Sequence, residues 1–122
     1  MSWIIIKADR RGIKLMEAKR IKFERTGGFA GIRLAADIKL DELPEDQAQQ
    51  ILELLDDLDF DKLPEQMMSD RQIPDSFTYS VTVISKGQQH TVTTNEASAP
   101  EKMGFMFQIL IQIARQQARN KK

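Results

Sequence analysis

The chain has 122 residues, of which 41% are hydrophobic and 30% charged, with 18 basic and 18 acidic side chains and a net charge of zero. This composition is typical of one folded domain and excludes the disordered class, which combines low hydrophobicity with high net charge. Because the chain contains no cysteine, disulfide scaffolds and thiolate zinc sites are also excluded. Few aromatic residues lie between the basic ones of this neutral chain, so no nucleic-acid partner is expected.

An apolar run, Trp3–Ile6, lies close to the N-terminus. A secretory signal needs an apolar core of about 7 to 15 residues, and a membrane-spanning helix needs about 20 apolar residues. The run is too short for either, so we expect a cytoplasmic protein with no membrane partner.

Two alternating segments predict the first pair of strands. In residues 20–25, Ile21 and Phe23 lie on one side and charged residues on the other, which is the period of a half-buried strand. The same alternation returns in residues 32–40, and a glycine-rich connection joins the two segments. We therefore predict a β-hairpin.

The next segment has the pattern of a helix. Acidic residues and Pro44 within residues 41–46 are typical of a helix start, since carboxylates there meet the positive end of the helix dipole and proline lacks an N–H that would need a partner. Apolar residues at helical spacing follow from Ala48 to Leu58, and Pro64 is expected to end the helix. Residues 63–74 have no clear period and predict a partly ordered connection.

A second pair of strands and a second helix follow. Alternation in residues 77–83 and again in residues 90–94, with Lys86-Gly87 between them, predicts another hairpin. The C-terminal helix has a wide apolar face, which is expected to be mostly core and includes Met103, Phe105, Met106, Phe107, Ile109, Leu110, Ile113 and Ala114.

The predicted order of elements is ββαββα, which indicates an α+β fold. We expect two β-hairpins to form a four-stranded, mainly antiparallel sheet. Both helices should cover one face of this sheet and leave the other face and the hairpin turns accessible.

Catalytic and metal-binding patterns are weak. His90 is the only histidine, which excludes the helical HExxH zinc site, and no serine lies in a nucleophile elbow. Asp57, Asp59 and Asp61 have the spacing of a calcium loop, but Lys62 and residue 68, a methionine, occupy the positions of the required glycine and glutamate. We therefore predict no enzyme activity, no metal and no cofactor.

The turn of the first hairpin is the least explained segment. Gly27, Gly28 and Gly31 fit neither the phosphate-binding loop nor the dinucleotide-binding motif. Phe29 is the only large apolar side chain among them, and neither strand's alternation assigns it to the core. Two interpretations are open: the turn presents Phe29 to a partner, or Phe29 folds back over the sheet edge and closes the core.

The most specific segment is Ile21–Leu34, IKFERTGGFAGIRL, which resembles the opening of emfourin-type inhibitors. Further segments agree in the order that this family shows, namely Leu43-Pro44, Asp59-Phe60, Asp75–Tyr79 and His90–Thr93. The resemblance extends over about residues 19–115. It indicates an N-terminal extension at 1–18 outside the family pattern, a single inhibitor domain at 19–119 and a flexible tail at 120–122.

The resemblance implies a protein that binds and blocks the active-site cleft of a protealysin-like or thermolysin-like zinc metallopeptidase without chemistry of its own. Phe29 would then occupy the pocket for the residue after the scissile bond, as a substrate mimic. The protease-binding residues are expected in the hairpin, and they are Glu24, Arg25, Thr26, Gly27, Gly28, Phe29, Ala30 and Gly31.

One alternative explains the lack of catalytic residues equally well. It is a non-catalytic protein-interaction or regulatory module that has no protease target. An enzyme of unrecognised type is a third hypothesis, which the single histidine and the missing metal motif disfavour.

Overall fold

A computed structural model of the chain describes residues 15–27, 32–68 and 76–120. No helix within these residues is long and apolar enough to cross a membrane. The regular elements in chain order are β1 (Arg20–Gly27), β2 (Ile32–Lys39), α1 (Glu45–Asp57), β3 (Gln66–Met67), β4 (Phe77–Ser85), β5 (Gln88–Asn95) and α2 (Glu101–Asn120), with 3₁₀ turns at Leu15–Glu17, Leu40–Glu42 and Phe60–Lys62.

The strands form one five-stranded sheet in the order β2-β1-β4-β5-β3. The pairs β1–β2, β1–β4 and β4–β5 are antiparallel, as predicted, but β3 pairs with β5 in parallel. The predicted four-stranded, mainly antiparallel sheet in the order ββαββα was therefore wrong in omitting this fifth strand, although the α+β class is confirmed. A two-residue strand is too short to show a period of two in the sequence. In the structure, β3 is defined by its pairing with β5, and beside this pairing Thr93 N donates to Glu65 O at 2.8 Å.

Both helices pack on one face of the sheet, where the core lies. Alternate strand residues point into it, among them Ile21 and Phe23 of β1 and Val81 and Val83 of β4. The helices contribute Ile51 and Leu55 from α1 and Met103, Met106, Phe107, Leu110, Ile113 and Ala114 from α2. A period of two places every second residue of each strand on the opposite face. These alternate residues are mainly polar, so that face is mainly polar.

Helix α1 is shorter than its sequence pattern indicates. Residues 40–42 form a separate 3₁₀ turn that buries Leu40, so the acidic first turn consists of Glu45 and Asp46. The helix ends at Asp57, well before Pro64. Asp59 follows in the left-handed conformation with φ of 49°, a conformation that ends helices and that aspartate tolerates better than most residues.

One apolar residue of α2 does not belong to the core. Phe105 is 55% exposed, whereas its apolar character led us to expect it within the buried face. The buried face of α2 is narrower than the wide apolar face in its sequence, because only one side of the helix contacts the sheet and α1.

The short segment before β1 is part of the packed domain. Leu15 and Ala18 are each only 6% exposed and belong to the core cluster. Lys19 N donates to Ile84 O at 2.9 Å, and Leu40 N donates to Lys19 O at 3.0 Å. Leu15 and Ala18, which we expected to lie outside the family pattern, therefore contribute to the core.

Candidate functional site

The predicted protease-binding residues lie at the end of a central strand. Glu24–Gly27 are the last four residues of β1, whereas residues 28–31, including Phe29, lie outside the described residues. Gly27 is the Cα partner of Ile32 on one side and of Phe77 on the other. Because β1 is paired on both sides up to its last residue, the backbone that leads into the turn is held by two neighbouring strands.

Gly27 has a backbone conformation that suits glycine. Its φ is 114°, and a Cβ added there would lie 2.7 Å from the carbonyl oxygen of Ser76. Real Cβ atoms do not approach an oxygen so closely, so only glycine fits this position without a shift of the backbone. The close approach also places the start of β4 beside the end of β1.

Glu24 and Thr26 point to the open face of the sheet. Glu24 forms an ion pair with Arg33 of β2, and both side chains are substantially exposed. Thr26 is the Cα partner of Arg33 and of Thr78. The negative charge of Glu24 is therefore compensated within the hairpin itself.

Arg25 points to the opposite face, towards the aromatic end of the core. Its guanidinium carbon lies 4.2 Å from the centroid of the Phe77 ring, which is the geometry of a cation–π contact. Phe77 contacts Tyr79 with a centroid distance of 6.4 Å. Tyr79 in turn stacks on Phe107 of α2, at 4.1 Å and an interplanar angle of 12°. A row of rings thus connects Arg25 to the core.

Glu96 anchors the same end of the sheet. Its Oε1 accepts a hydrogen bond of 3.1 Å from Phe77 N. Burial raises the pKa of the Tyr79 hydroxyl, the nearby charge of Glu96 raises it further, and Arg25 partly opposes both effects. Glu96 and Arg25 therefore both act on the Tyr79 hydroxyl, with opposite signs.

Sequence reasoning did not identify Phe77, Tyr79 and Glu96 as neighbours of the site. The alternation in β4 placed Phe77 and Tyr79 on the core face correctly, but their proximity to Arg25 follows from the register between β1 and β4. That register joins residues fifty or more positions apart, and the local pattern carries no information about it.

A shallow groove of about 930 Å³ lies on the open face beside the edge strand β2. Arg20 and Asp37 meet in it through two hydrogen bonds of 2.6 and 2.5 Å, and the Arg20 guanidinium lowers the pKa of Asp37. Gln117 of α2 donates to Asp37 O at 3.2 Å and so covers part of the strand edge. The lining side chains carry charges of both signs, so the groove does not select a ligand by charge.

A comparison with models of protein families shows which family the chain belongs to. The Emfourin family model matches residues 23–110, which is most of the chain and includes all eight predicted site residues. The chain belongs to the emfourin family. No curated protein and no solved structure matches it. Emfourins are a family of inhibitors.

Within this member of the family, the single histidine has a structural contact. His90 Nε2 lies 2.7 Å from Leu63 O, and its ring meets the Phe60 ring edge-on at 5.8 Å. The contact holds the connection after α1 against β5. In the described part of the chain, no group of three His, Cys, Asp or Glu side chains is placed to hold a metal ion.

Proposed function

We propose that this chain is a proteinaceous inhibitor of thermolysin-like zinc metallopeptidases, and that it binds and blocks their active-site cleft. The observation that carries the proposal is membership of the emfourin family across residues 23–110. Protealysin-like enzymes are the expected partners. In this proposal the chain has no enzymatic activity and acts in the cytoplasm.

The hairpin segment Glu24–Gly31 is the proposed contact region. Its first four residues belong to a strand that is paired on both sides, so this part of the segment loses little conformational entropy on binding. An inhibitor whose binding segment is already ordered is favoured over a flexible substrate, which pays that entropy when it binds. The described geometry therefore supports Glu24–Gly27 as a preorganised part of the binding segment.

Phe29 is the proposed residue for the apolar pocket that follows the scissile bond. The support is chemical, since Phe29 is the only large apolar side chain in a segment otherwise made of small and polar residues. Burying such a ring in a pocket of the partner contributes about 1.5 to 3 kcal/mol.

The function is tested by titrating the purified protein against thermolysin and against a protealysin-like enzyme while peptide hydrolysis is followed. We expect stoichiometric loss of activity with either enzyme at micromolar or lower inhibitor concentration. If a micromolar excess inhibits neither, the inhibitor proposal is wrong, and the alternative of an interaction module without a protease target is favoured.

The role of Phe29 is tested with Phe29→Ala. We expect the inhibition constant to rise at least about tenfold, because the pocket contact is lost, while the midpoint of thermal unfolding stays almost unchanged. Phe105→Ala is the matched control, because Phe105 is an exposed phenylalanine on α2. A variant at Phe29 that unfolds several degrees earlier and still inhibits would instead assign Phe29 to the core.

A further inference from the structure

Arg25 contacts an aromatic ring, whereas several other basic residues of the domain pair with carboxylates. In the described part of the chain, Arg20, Arg33, Lys86 and Lys102 each form an ion pair with a carboxylate. Arg25 has an aromatic ring as its partner and forms no such ion pair with any described residue. Arg25 is therefore a basic side chain of the predicted site that no described ion pair neutralises.

The contact with Phe77 orients the guanidinium and leaves its in-plane N–H groups uncovered, of which one interacts with the Tyr79 hydroxyl. A ring that stacks on the face of a guanidinium occupies the π surface, whereas the N–H groups lie in the plane. Those in-plane donors match the two oxygens of a carboxylate. A stacked arginine is therefore held in place and can still bind a second group.

Phe77 can hold Arg25 in one orientation because Phe77 is itself fixed. Its backbone N–H is bound by the Glu96 carboxylate at 3.1 Å. Its ring contacts Tyr79, which is only 7% exposed and stacks on Phe107 in the core. Arg25 is thus connected to the rigid part of the domain, although it lies two residues before the end of β1.

We propose that Arg25 binds a carboxylate at the rim of the peptidase cleft, and that Phe77 and Glu96 are positioning residues that hold Arg25 for this contact. The proposal rests on the proposed function and adds to it a second class of contact, electrostatic and located on the helix-covered face of β1. It implies that the inhibitor selects peptidases that carry an acidic residue at this point of the rim.

The first experiment measures inhibition constants for thermolysin and for a protealysin-like enzyme with Arg25→Gln and Arg25→Lys. Loss of a charge-assisted, two-pronged contact should raise the inhibition constant of Arg25→Gln about tenfold or more for the enzyme that carries the acid. Arg25→Lys should give an intermediate loss, because lysine keeps the charge but not the planar donors. Arg20→Gln removes the same charge from the other end of β1 and should change inhibition less than about twofold.

The second experiment is a double-mutant cycle between Arg25 and Phe77. Phe77→Leu should raise the inhibition constant about threefold to tenfold when Arg25 is present, and less than about twofold in the Arg25→Gln background. Phe77→Tyr keeps the ring and should inhibit like the original protein. A purely structural role for Phe77 would instead produce the same loss in both backgrounds.

Salt dependence gives an independent readout. Raising sodium chloride from about 0.05 M to about 0.5 M should weaken inhibition by the original protein more than inhibition by Arg25→Gln. Inhibition by a folded Arg25→Gln within about twofold of the original, or an additive cycle, would overturn the Arg25 proposal and leave the inhibitor function intact. Failure of the original protein to inhibit either enzyme would overturn both.

Discussion

The last residue of β1, Gly27, combines a φ of 114° with a Cβ direction that points at the Ser76 carbonyl oxygen. Any other residue would meet both the backbone strain of a positive φ and this contact. Gly104, in the first turns of α2, is the opposite case. A Cβ added there has no atom within 4 Å, and a helix favours alanine over glycine.

The two glycines give a matched pair of substitutions. We expect Gly27→Ala to lower the free energy of unfolding by about 2 kcal/mol or more, since strain and a backbone clash act together. Gly104→Ala should raise it by about 0.5 to 1 kcal/mol. Urea denaturation of both variants checks these signs, and a Gly27→Ala protein as stable as the original would show that the end of β1 adapts to a side chain.

At the scale of elements, the segment before β1 shows how a short irregular stretch contributes to stability. Leu15 is 6% exposed and Ser85 Oγ donates to Glu17 O at 3.2 Å. A truncation intended to test only the N-terminal extension should therefore end before Leu15, because removing residues 1–18 also removes the core side chains of Leu15 and Ala18.

Leu15→Ala tests this contribution directly. The substitution removes buried methyl groups and leaves a cavity, so the free energy of unfolding should fall by about 2 to 4 kcal/mol. Lys19→Ala, four residues further along at an exposed position, should change it by less than about 0.5 kcal/mol. Equal denaturation midpoints for Leu15→Ala and the original protein would place Leu15 outside the cooperative core.

At the scale of the whole molecule, the ionisation of Tyr79 connects pH to global stability. Burial raises its pKa above the usual value of about 10. In the folded state the hydroxyl therefore keeps its proton at a pH where the unfolded chain has lost it. The stability contribution of the neutral hydroxyl is complete below about pH 10 and is lost as the pH rises towards the folded pKa.

Tyr79 is the only tyrosine of the chain, so the phenolate absorbance of the folded protein reports its titration alone. We expect a midpoint above about pH 10. We also expect the urea midpoint of the original protein to decrease when the pH is raised from about 9 to about 11. This decrease should be larger than that of Tyr79→Phe, which has no hydroxyl to ionise. A folded-state midpoint at or below about pH 10 would contradict the effect of burial.

Local periodicity predicted most elements of this fold, because a strand with one buried face repeats every two residues and a surface helix about every 3.6. The alternations around Ile21, Phe23 and Val81 therefore correctly predicted which side chains of the strands face the core. The two-residue strand β3 could not be predicted, since it has no period. The exposure of Phe105 could not be predicted either, because an apolar residue on the outer side of a helix looks like one in the core until the helix is packed.

The sequence by itself determined the α+β class, the two hairpins and the family, because these depend on local alternation and on a specific run of residues around Gly27. Only the tertiary structure decided which residues surround that run. Pairing of β1 with β4 brought Phe77 to Arg25, and the turn after β5 brought Glu96 to Phe77. Such contacts depend on strand register and on long-range packing, and neither is encoded in the spacing of neighbouring residues.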